Sequence, residues 1–338
     1  MTAILTSVER LVDEVLIPAA PEVDATGVIP RENFAAMAAA GLFGVAAGGD
    51  IRRMPEVGEA VISGCLATGF VWAQHHGVVL GLLRGDNAEL RDELLPLLTS
   101  GEEMAGVSYA GLASHGRTLR AHPGSDGGFR LSGRAALVTG WGMIGVLGVW
   151  AYDEDADASH FVVLRDPGAV AGIDATPLNL VAAQASNTVS LQFDDVEASP
   201  EAVVDTVPGS HRPAGANLTI RMNAALPLGV CRSALRSLAA TDDENAAEAL
   251  AAGQRAVADL RERLDAALDD ADQLYRYRAH ANELAMRLAS SVGVAVGSRS
   301  VLVGSDADRL VREALFCSVC ATRPPIRAEM LRRLPAGD

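Results

Sequence analysis

The sequence predicts an α+β chain in three parts: an N-terminal helical domain (residues 1–105), a middle antiparallel β-domain (106–205) and a C-terminal helical bundle (206–338). Apolar residues recur at helical spacing in the first part, and short β-rich runs bounded by Gly, Pro and Asp fill the middle. Long alanine-rich stretches of helical pattern close the chain. With 338 residues, 49% of them hydrophobic, the chain is large enough to bury a sizeable core.

The first part is predicted to be helical throughout. A first helix is indicated by apolar residues at helical spacing, namely Val8, Leu11, Val12, Val15 and Leu16. Pro30 stands where a further helix begins, and Gly41 stands near its end. Residues 57–83 are apolar almost all round, which predicts one buried central helix.

The middle part contains five short β-rich runs, which read GFRLSG, AALVTG, VLGVWAY, HFVVLRD and TVSLQFDDV. Because no helical pattern separates them, antiparallel strands in a small barrel or sandwich are expected. From about residue 216 the pattern is helical again. Residues 221–240 predict one helix, residues 246–296 one or two more, and residues 306–320 a last one.

Composition and charge exclude several classes of function. A net charge of −15 disfavours nucleic acid and anionic membrane surfaces as partners. All 28 basic residues are arginine, so Schiff-base lysines and the lysine of a phosphate-binding loop are excluded. No uncharged apolar run reaches about 18 residues, and the N-terminus lacks a basic start, so neither a membrane span nor a signal peptide is expected. Four unevenly spread cysteines suit the reducing cytoplasm.

Six stretches in order resemble the acyl-CoA dehydrogenase superfamily. They are VIPRENFAAMAAAGLFGV (28–45), LTSGEEMAGVSYAG (98–111), FRLSGRAALVTGWG (129–142), NTVSLQFDDVEASPEAVV (187–204), IRMNAALPLGVCRSAL (220–235) and DADRLVREALF (306–316). The ordered set points to the family's fold: helices, a β-domain, then a bundle. The resemblance implies FAD, or a reduced flavin, held between β-domain and bundle, and a small acyl substrate.

The resemblance also implies residues that contact the flavin. Thr139 falls on the threonine of the family's Trp-Ile-Thr, whose hydroxyl faces the ring and stabilises charge that develops there. Leu137 replaces the preceding tryptophan, which leaves Trp141 as the nearest aromatic side chain. Ser108 and Tyr109 are the nearest candidates for further hydrogen bonds to the flavin. The plain alternative is that all four are ordinary strand and turn residues.

Two family features are missing. The catalytic glutamate of the family aligns with Ala321, and its alternative place on the first bundle helix is taken by Thr219 and Ile220. The related monooxygenases place a histidine where Cys320 stands. The Arg-x-x-Phe-Gly motif, which grips the flavin pyrophosphate, is replaced by AATDDENAAEALAAGQ (239–254), whose acidic residues would repel a pyrophosphate.

Other side chains are the remaining candidates for chemistry. His75 and His76 have the pKa range for proton transfer, although adjacent helical residues point about 100° apart, so at most one faces a given cavity. Arg221 is predicted to pair with a carboxylate or phosphate of the substrate, or else to form a salt bridge at the helix start. Cys317 and Cys320 lack a second pair of soft ligands, so we expect core packing and no metal site.

Three functions stay open at this point. The first is a flavin-dependent oxidoreductase acting on an acyl thioester, with electrons passed to an electron-transfer flavoprotein. The second is a monooxygenase that uses reduced FMN or FAD from a separate flavin reductase. The third is a flavin-free relative with a binding, scaffold or other non-redox role. The alanine-rich bundle also predicts a homodimer or homotetramer.

Overall fold

The computed structural model describes residues 2–48, 51–210 and 216–336. The α-helices of these residues are α1 (Thr2–Leu11), α2 (Ile17–Thr26), α3 (Arg31–Ala39), α4 (Met54–Gly64), α5 (Leu66–Arg84), α6 (Ala88–Ser100), α7 (Ala216–Asn223), α8 (Ala225–Ala239), α9 (Ala246–Ala266), α10 (Ala271–Val296), α11 (Asp306–Val319) and α12 (Pro324–Ala336). The strands are β1 (Ala105–Ser108), β2 (Leu119–Pro123), β3 (Phe129–Val138), β4 (Val146–Asp153), β5 (Ala158–Arg165), β6 (Ile173–Pro177), β7 (Val189–Ala198) and β8 (Val203–Pro208). The predicted order of helices, strands and helices is confirmed, while the domain boundaries at residues 105 and 205 stay a prediction.

The middle domain is a single sheet with the strand order β6-β7-β3-β2-β4-β5-β8, and β1 lies beside β4. Most neighbouring strands are antiparallel, but β4 runs parallel to both β1 and β2. The predicted β-domain is therefore confirmed as a mixed sheet in which antiparallel pairs predominate. The reason is the hairpin of β2 and β3, after which the chain re-enters the sheet as β4, between β2 and β5, in the direction of β1 and β2.

The stretch 57–83 forms two helices and not one, because the chain is extended at Cys65 (φ −156°, ψ 112°). Gly64 and Gly69 flank this break, and glycine weakens a helix at both places. A Cβ on Gly64 would lie 2.6 Å from Leu16, and one on Gly69 would lie 2.7 Å from Ile62. Close packing therefore requires glycine at both positions, and these same glycines weaken the helix on either side of Cys65.

The C-terminal bundle also has more helices than the periodicity predicts. Residues 221–240 are divided between α7 and α8, and Pro227 lies in the first turn of α8, where proline is tolerated. The helix α12, which begins at Pro324, is an addition to the prediction. The two helices α9 and α10 agree with the expected one or two. Among the described residues, no helix combines the length and apolar character that crossing a membrane requires.

Helix α5 lies directly on the sheet and links it to the other helices. A Cβ on Gly77 would approach Val107 of β1 to 2.5 Å, and one on Gly81 would approach Phe161 of β5 to 2.2 Å. The other side of α5 reaches α11, where the rings of Phe70 and Phe316 meet edge to face at 5.2 Å. The candidate site residues are distributed around this contact between sheet and helices.

Candidate functional site

The residues expected to face a flavin gather beside β1, at the turn that follows β3. The carbonyl oxygen of Thr139 lies 3.0 Å from the position of a Cβ on Gly106, so the turn touches β1. A loop that precedes β7 closes over the turn from the other side. The backbone N–H of Gly140 donates to the carbonyl of Ser186 at 2.9 Å, and that of Trp141 donates to the carbonyl of Asn187 at 3.2 Å.

The polar groups of this turn are already hydrogen-bonded within the chain. The hydroxyl of Thr139 shares a hydrogen bond with that of Thr188 at 3.1 Å, and Thr188 is in turn bonded to the hydroxyl of Ser186 at 2.9 Å. All three side chains are buried. The carbonyl of Trp141 accepts a hydrogen bond from the side-chain amide of Asn187. A ligand at the turn would therefore meet groups that have partners.

The loop over the turn is held in a strained conformation. Ala183 (φ 55°) and Asn187 (φ 46°) are both left-handed, which asparagine tolerates and alanine rarely adopts. The side chain of Gln184 accepts from the N–H of Leu180 at 2.6 Å and donates to the carbonyl of Leu178 at 3.3 Å. These bonds hold the loop against the turn, where the surrounding packing enforces its backbone.

Ser108 and Tyr109, at the end of β1, have different environments. The buried Ser108 hydroxyl accepts a hydrogen bond from the N–H of Ala110 at 3.4 Å. Tyr109 exposes 36% of its surface, and its ring stacks on that of His115 at 5.7 Å between centroids. Burial nevertheless raises the pKa of the Tyr109 phenol, while the charge of Arg84 lowers it. The hydroxyl of Tyr109 lies against α5, 3.0 Å from the position of a Cβ on Gly77.

His75 and His76, the predicted acid–base candidates, are both buried inside α5. The Nδ1 of His75 accepts a hydrogen bond from the N–H of Ala105 at 3.1 Å, which ties α5 to the start of β1. Burial lowers the pKa of His75 to about 4. Burial also lowers the pKa of His76 well below its usual value, and the proximity of His75 adds to that effect. The His75 ring meets Phe43 edge to face at 5.0 Å, and the His76 ring meets Trp72 at 4.7 Å. Catalytic roles for the two histidines stay a prediction, and in this conformation neither ring reaches the surface.

Arg221, the predicted substrate contact, is buried in α7. Its Nε donates to Asp265 at 2.6 Å, and an amino group donates to the buried Glu59 at 3.3 Å. Arg261 donates to the other oxygen of Glu59 at 2.6 Å. The pairs join α4, α7 and α9, so the observed contacts of Arg221 are those of a bundle ion pair. The predicted contact of Arg221 with a substrate stays a prediction.

The position of the family's catalytic acid lies in the turn between α11 and α12. Ala321 is exposed there and is left-handed (φ 51°). The half-buried Cys320 precedes it, and its carbonyl accepts a hydrogen bond from Arg278 at 3.4 Å. At the alternative place on α7, Thr219 is exposed and Ile220 is buried. Neither place in the described chain carries a carboxylate.

Two buried ionisable residues were missed by sequence reasoning. Glu313, on α11, borders a cavity of about 10 Å³, room for about one water. Burial raises the pKa of Glu313 to about 7, although the charge of Arg309, at 3.5 Å, opposes this shift. The fully buried Arg278 bonds to Asn282 and to the carbonyls of Cys317 and Cys320. Helical spacing could have placed both on inner faces, but it gives no information on their partners.

The absence of a metal site stays a prediction. All four cysteines are free, and Cys317 is fully buried. Throughout the described ranges, no cluster of three or more His, Cys, Asp or Glu side chains is arranged to hold a metal ion.

Considered together, the site residues do not fit a bound flavin. Thr139, Ser108 and the backbone of Trp141 have their hydrogen-bonding groups engaged inside the chain. None of the predicted site residues lines the small cavity beside Glu313, nor the groove of about 550 Å³ between residues 44–48 and α6. Residues 242–244, where the family grips the pyrophosphate, are exposed and acidic.

Comparisons with known proteins agree on the fold. Residues 1–102 match the family model of the acyl-CoA dehydrogenase N-terminal domain. The chain is similar to butyryl-CoA dehydrogenase from Megasphaera elsdenii, with 15% identity, a TM-score of 0.82, and coverage of 98% of this chain and 97% of that one. No curated protein matches the sequence.

Two further solved structures have the same fold. A glutaryl-CoA dehydrogenase from Mycobacterium smegmatis, in complex with FADH2, has 16% identity and a TM-score of 0.78, over 99% of this chain and 94% of that one. Dibenzothiophene monooxygenase from a Paenibacillus species has 16% identity and a TM-score of 0.78, over 99% and 97%. At such identities the likeness establishes the fold and leaves the activity open.

Proposed function

We propose that this chain, a member of the acyl-CoA dehydrogenase superfamily by its fold and its matched N-terminal domain, is a flavin-free relative with a binding or scaffold role. The observation that supports this most is the closed hydrogen-bonding around the turn at Thr139. There the Thr139 hydroxyl shares a hydrogen bond with Thr188, and the backbone N–H groups of Gly140 and Trp141 donate to Ser186 and Asn187.

The position of the acids and bases supports the same proposal. Ala321 has no group that can accept a proton, and His75 and His76 are enclosed by aromatic side chains. Proton abstraction requires a base within hydrogen-bonding reach of the reacting carbon. The ring stacked on Tyr109 is that of His115, whose pKa is lowered by burial and by the charge of Arg323.

The two oxidoreductase alternatives are suggested by the fold, and each requires different groups in the site. A dehydrogenase needs both a bound flavin and a proton acceptor, and it would pass electrons to a partner flavoprotein. A monooxygenase of this fold needs a place for reduced flavin supplied by a reductase, but no glutamate.

Flavin binding is the decisive experiment. Purified protein is examined for visible flavin absorption, then titrated with FAD and FMN, oxidised and reduced, by equilibrium dialysis. We expect a colourless protein that retains neither flavin. Stoichiometric retention would overturn the proposal. Bleaching on addition of an acyl-CoA would then favour a dehydrogenase, and oxygen consumption that depends on reduced flavin would favour a monooxygenase.

The variant Ala321→Glu tests whether this chain lacks only the catalytic carboxylate or lacks flavin binding as well. If the chain does not hold flavin, restoring a carboxylate leaves it inactive with acyl-CoA, FAD and an artificial electron acceptor. Turnover by Ala321→Glu in the presence of FAD would show that only the acid was missing, and it would refute the flavin-free role. Wild type under the same conditions is the matched control.

A further inference from the structure

A polar cluster lies at one end of the β-domain. It consists of His160 on β5, Asp153 on β4 and Thr206 on β8. His160 and Asp153 are buried, with 6% and 4% of their surfaces exposed, whereas Thr206 is exposed. A buried imidazole and a buried carboxylate cost free energy unless they have suitable partners, so their contacts identify what the cluster can do. We refer to these three residues as the His160 cluster.

The register of the sheet brings the three side chains together. His160 is paired directly with Thr206 of β8 and with Ala151 of β4. Residues that are directly paired present their side chains on the same face of a sheet, and so does the residue two positions further along the neighbouring strand. Asp153 lies two positions beyond Ala151, so it is a diagonal neighbour of His160. The next residue of β5, Phe161, points to the opposite face, towards α5.

The imidazole of His160 lies between a carboxylate and a hydroxyl. Its Nδ1 shares a hydrogen bond with the Thr206 hydroxyl at 2.9 Å. Within the described part of the chain, its Nε2 has no hydrogen-bond partner, and it lies 3.8 Å from Oδ2 of Asp153, which is ion-pair distance. The other carboxylate oxygen accepts hydrogen bonds from the backbone N–H groups of Asp155 at 2.9 Å and Ala156 at 3.2 Å, which hold the carboxylate in place. An acid, an imidazole and a hydroxyl in this order can activate the hydroxyl as a nucleophile.

We propose that Thr206 is a nucleophile that accepts an activated acyl group from a small ester or thioester. The Oγ1 of Thr206 forms a bond to the acyl carbon, and Nδ1 of His160 takes up the hydroxyl proton. The bond between the acyl carbon and the donor's oxygen or sulfur breaks, and the donor leaves as an alcohol or thiol with that proton. The product is an acyl ester of Thr206, and no oxidant or reductant takes part. This inference goes beyond the proposed function and does not depend on it.

The surroundings of His160 keep the ring in the form that accepts a proton. Burial lowers the pKa of His160, and the charge of Asp153 opposes this shift. The ring of Phe129, at 4.1 Å between centroids, covers the imidazole from β3. Of the three side chains that contact the imidazole, from β3, β4 and β8, only Asp153 carries a charge. The imidazole is therefore neutral at pH 7, and the carboxylate stabilises the imidazolium that forms as Thr206 reacts.

The nucleophile is accessible because β8 is the last strand in the sheet order and Thr206 is exposed on it. Its backbone N–H donates to Oδ1 of the half-buried Asp205 at 2.8 Å. In serine proteases the N–H of the nucleophile itself stabilises the oxygen that becomes negative during acyl transfer. The N–H of Thr206 can serve in the same way once the side chain of Asp205 turns towards solvent.

The His160 cluster is remote from the turn at Thr139. Phe129, which covers His160, begins β3, and Thr139 follows the last residue of the same strand. The 10 residues of β3 span about 30 Å. Acyl transfer to Thr206 can therefore be measured separately from flavin binding, and the two experiments can fail independently.

Acetylation by p-nitrophenyl acetate tests the proposal. At pH 8, peptide mass spectrometry of the wild type should show an acetyl ester on Thr206 that forms at least about tenfold faster than on Thr176, an exposed threonine of β6. His160→Gln should slow acetylation of Thr206 by about 100-fold, whereas Thr206→Ser should still be acetylated. Circular dichroism shows whether each variant keeps the fold.

Release of p-nitrophenolate covers the case in which the ester is hydrolysed as fast as it forms. Turnover would then be seen as release that Thr206→Val, a change at an exposed position, lacks and that the control Thr176→Val keeps. Acetylation of Thr206 no faster than that of Thr176, combined with wild-type release by Thr206→Val, would overturn the proposal. A folded His160→Gln variant that reacts at the wild-type rate would also overturn it.

Asp153→Asn tests the carboxylate as a positioning residue. Asparagine keeps an acceptor for the N–H groups of Asp155 and Ala156 and removes the charge beside His160. Acetylation of Thr206 should slow by about tenfold. The pH at half-maximal rate should also move down, because the charge of Asp153 raises the pKa of His160. A folded Asp153→Asn variant with the wild-type pH profile would refute this role of the carboxylate.

Discussion

Replacing His75 by asparagine tests whether the imidazole is as enclosed as its contacts imply. Asparagine keeps an acceptor for the N–H of Ala105, which His75 now serves through Nδ1. It removes the titrating ring that packs on Phe43. The variant should therefore be less stable than the wild type at pH 8, by about 1–3 kcal/mol, because a buried ring is lost.

The size of the pH-dependent change in this stability difference follows from the pKa of His75. Burial lowers the pKa of His75 from 6.5 to about 4, and one pKa unit corresponds to about 1.4 kcal/mol. Above pH 6.5 the ring is neutral in both the folded and the unfolded chain. As the pH falls from 6.5 to 4, the unfolded chain binds a proton that the folded chain does not, so the wild type loses up to about 3 kcal/mol. His75→Asn does not undergo this loss.

Urea unfolding followed by circular dichroism between pH 4 and 8 measures the effect. The unfolding free energy of the wild type relative to that of His75→Asn should fall by about 3 kcal/mol from pH 7 to pH 4, which cancels or reverses the initial advantage of the wild type. His122→Asn, which changes an exposed histidine of β2, controls for loss of an imidazole at the surface. A difference between wild type and His75→Asn that stays constant with pH would refute the enclosed, desolvated environment. It would also restore the residue as a candidate for proton transfer.

Four further substitutions give defined outcomes. Burial raises the pKa of Glu313 to about 7, so the wild type loses stability as the pH rises from 4.5 to 7. In the same urea titration, the unfolding free energy of Glu313→Gln should therefore rise by about 3 kcal/mol relative to that of the wild type over this pH range. Gly81→Ala should lower the unfolding free energy by about 1–3 kcal/mol, because its Cβ would lie 2.2 Å from Phe161. Gly293→Ala, whose Cβ would have no neighbour nearer than 3.8 Å, should raise it by about 0.5–1 kcal/mol. Arg278→Met removes the donor to the carbonyls of Cys317 and Cys320, so it should lower the unfolding free energy by about 1–3 kcal/mol. Amide hydrogen exchange in the turn after α11 should also become faster. Unchanged exchange would show that Arg278 does not hold this turn.

The order of the three parts was predictable because it depends on local periodicity. A strand such as β7 repeats every two residues and a helix such as α9 every 3.6, and both patterns are visible without knowledge of neighbours. The break at Cys65 was not visible in this way. It depends on the close approach of Leu16 to Gly64, two residues that are far apart in sequence. The parallel pairing of β1 with β4 is likewise a long-range property.

The candidate site was less predictable than the fold. The sequence shows that Ala321 and the acidic residues 242–244 replace family features, because a missing residue type can be read directly. It does not show that the Thr139 hydroxyl is bonded to Thr188, since those residues are 49 positions apart. For the same reason, the sequence reveals the charge of Arg221 but not its partner Glu59, which lies 162 positions away.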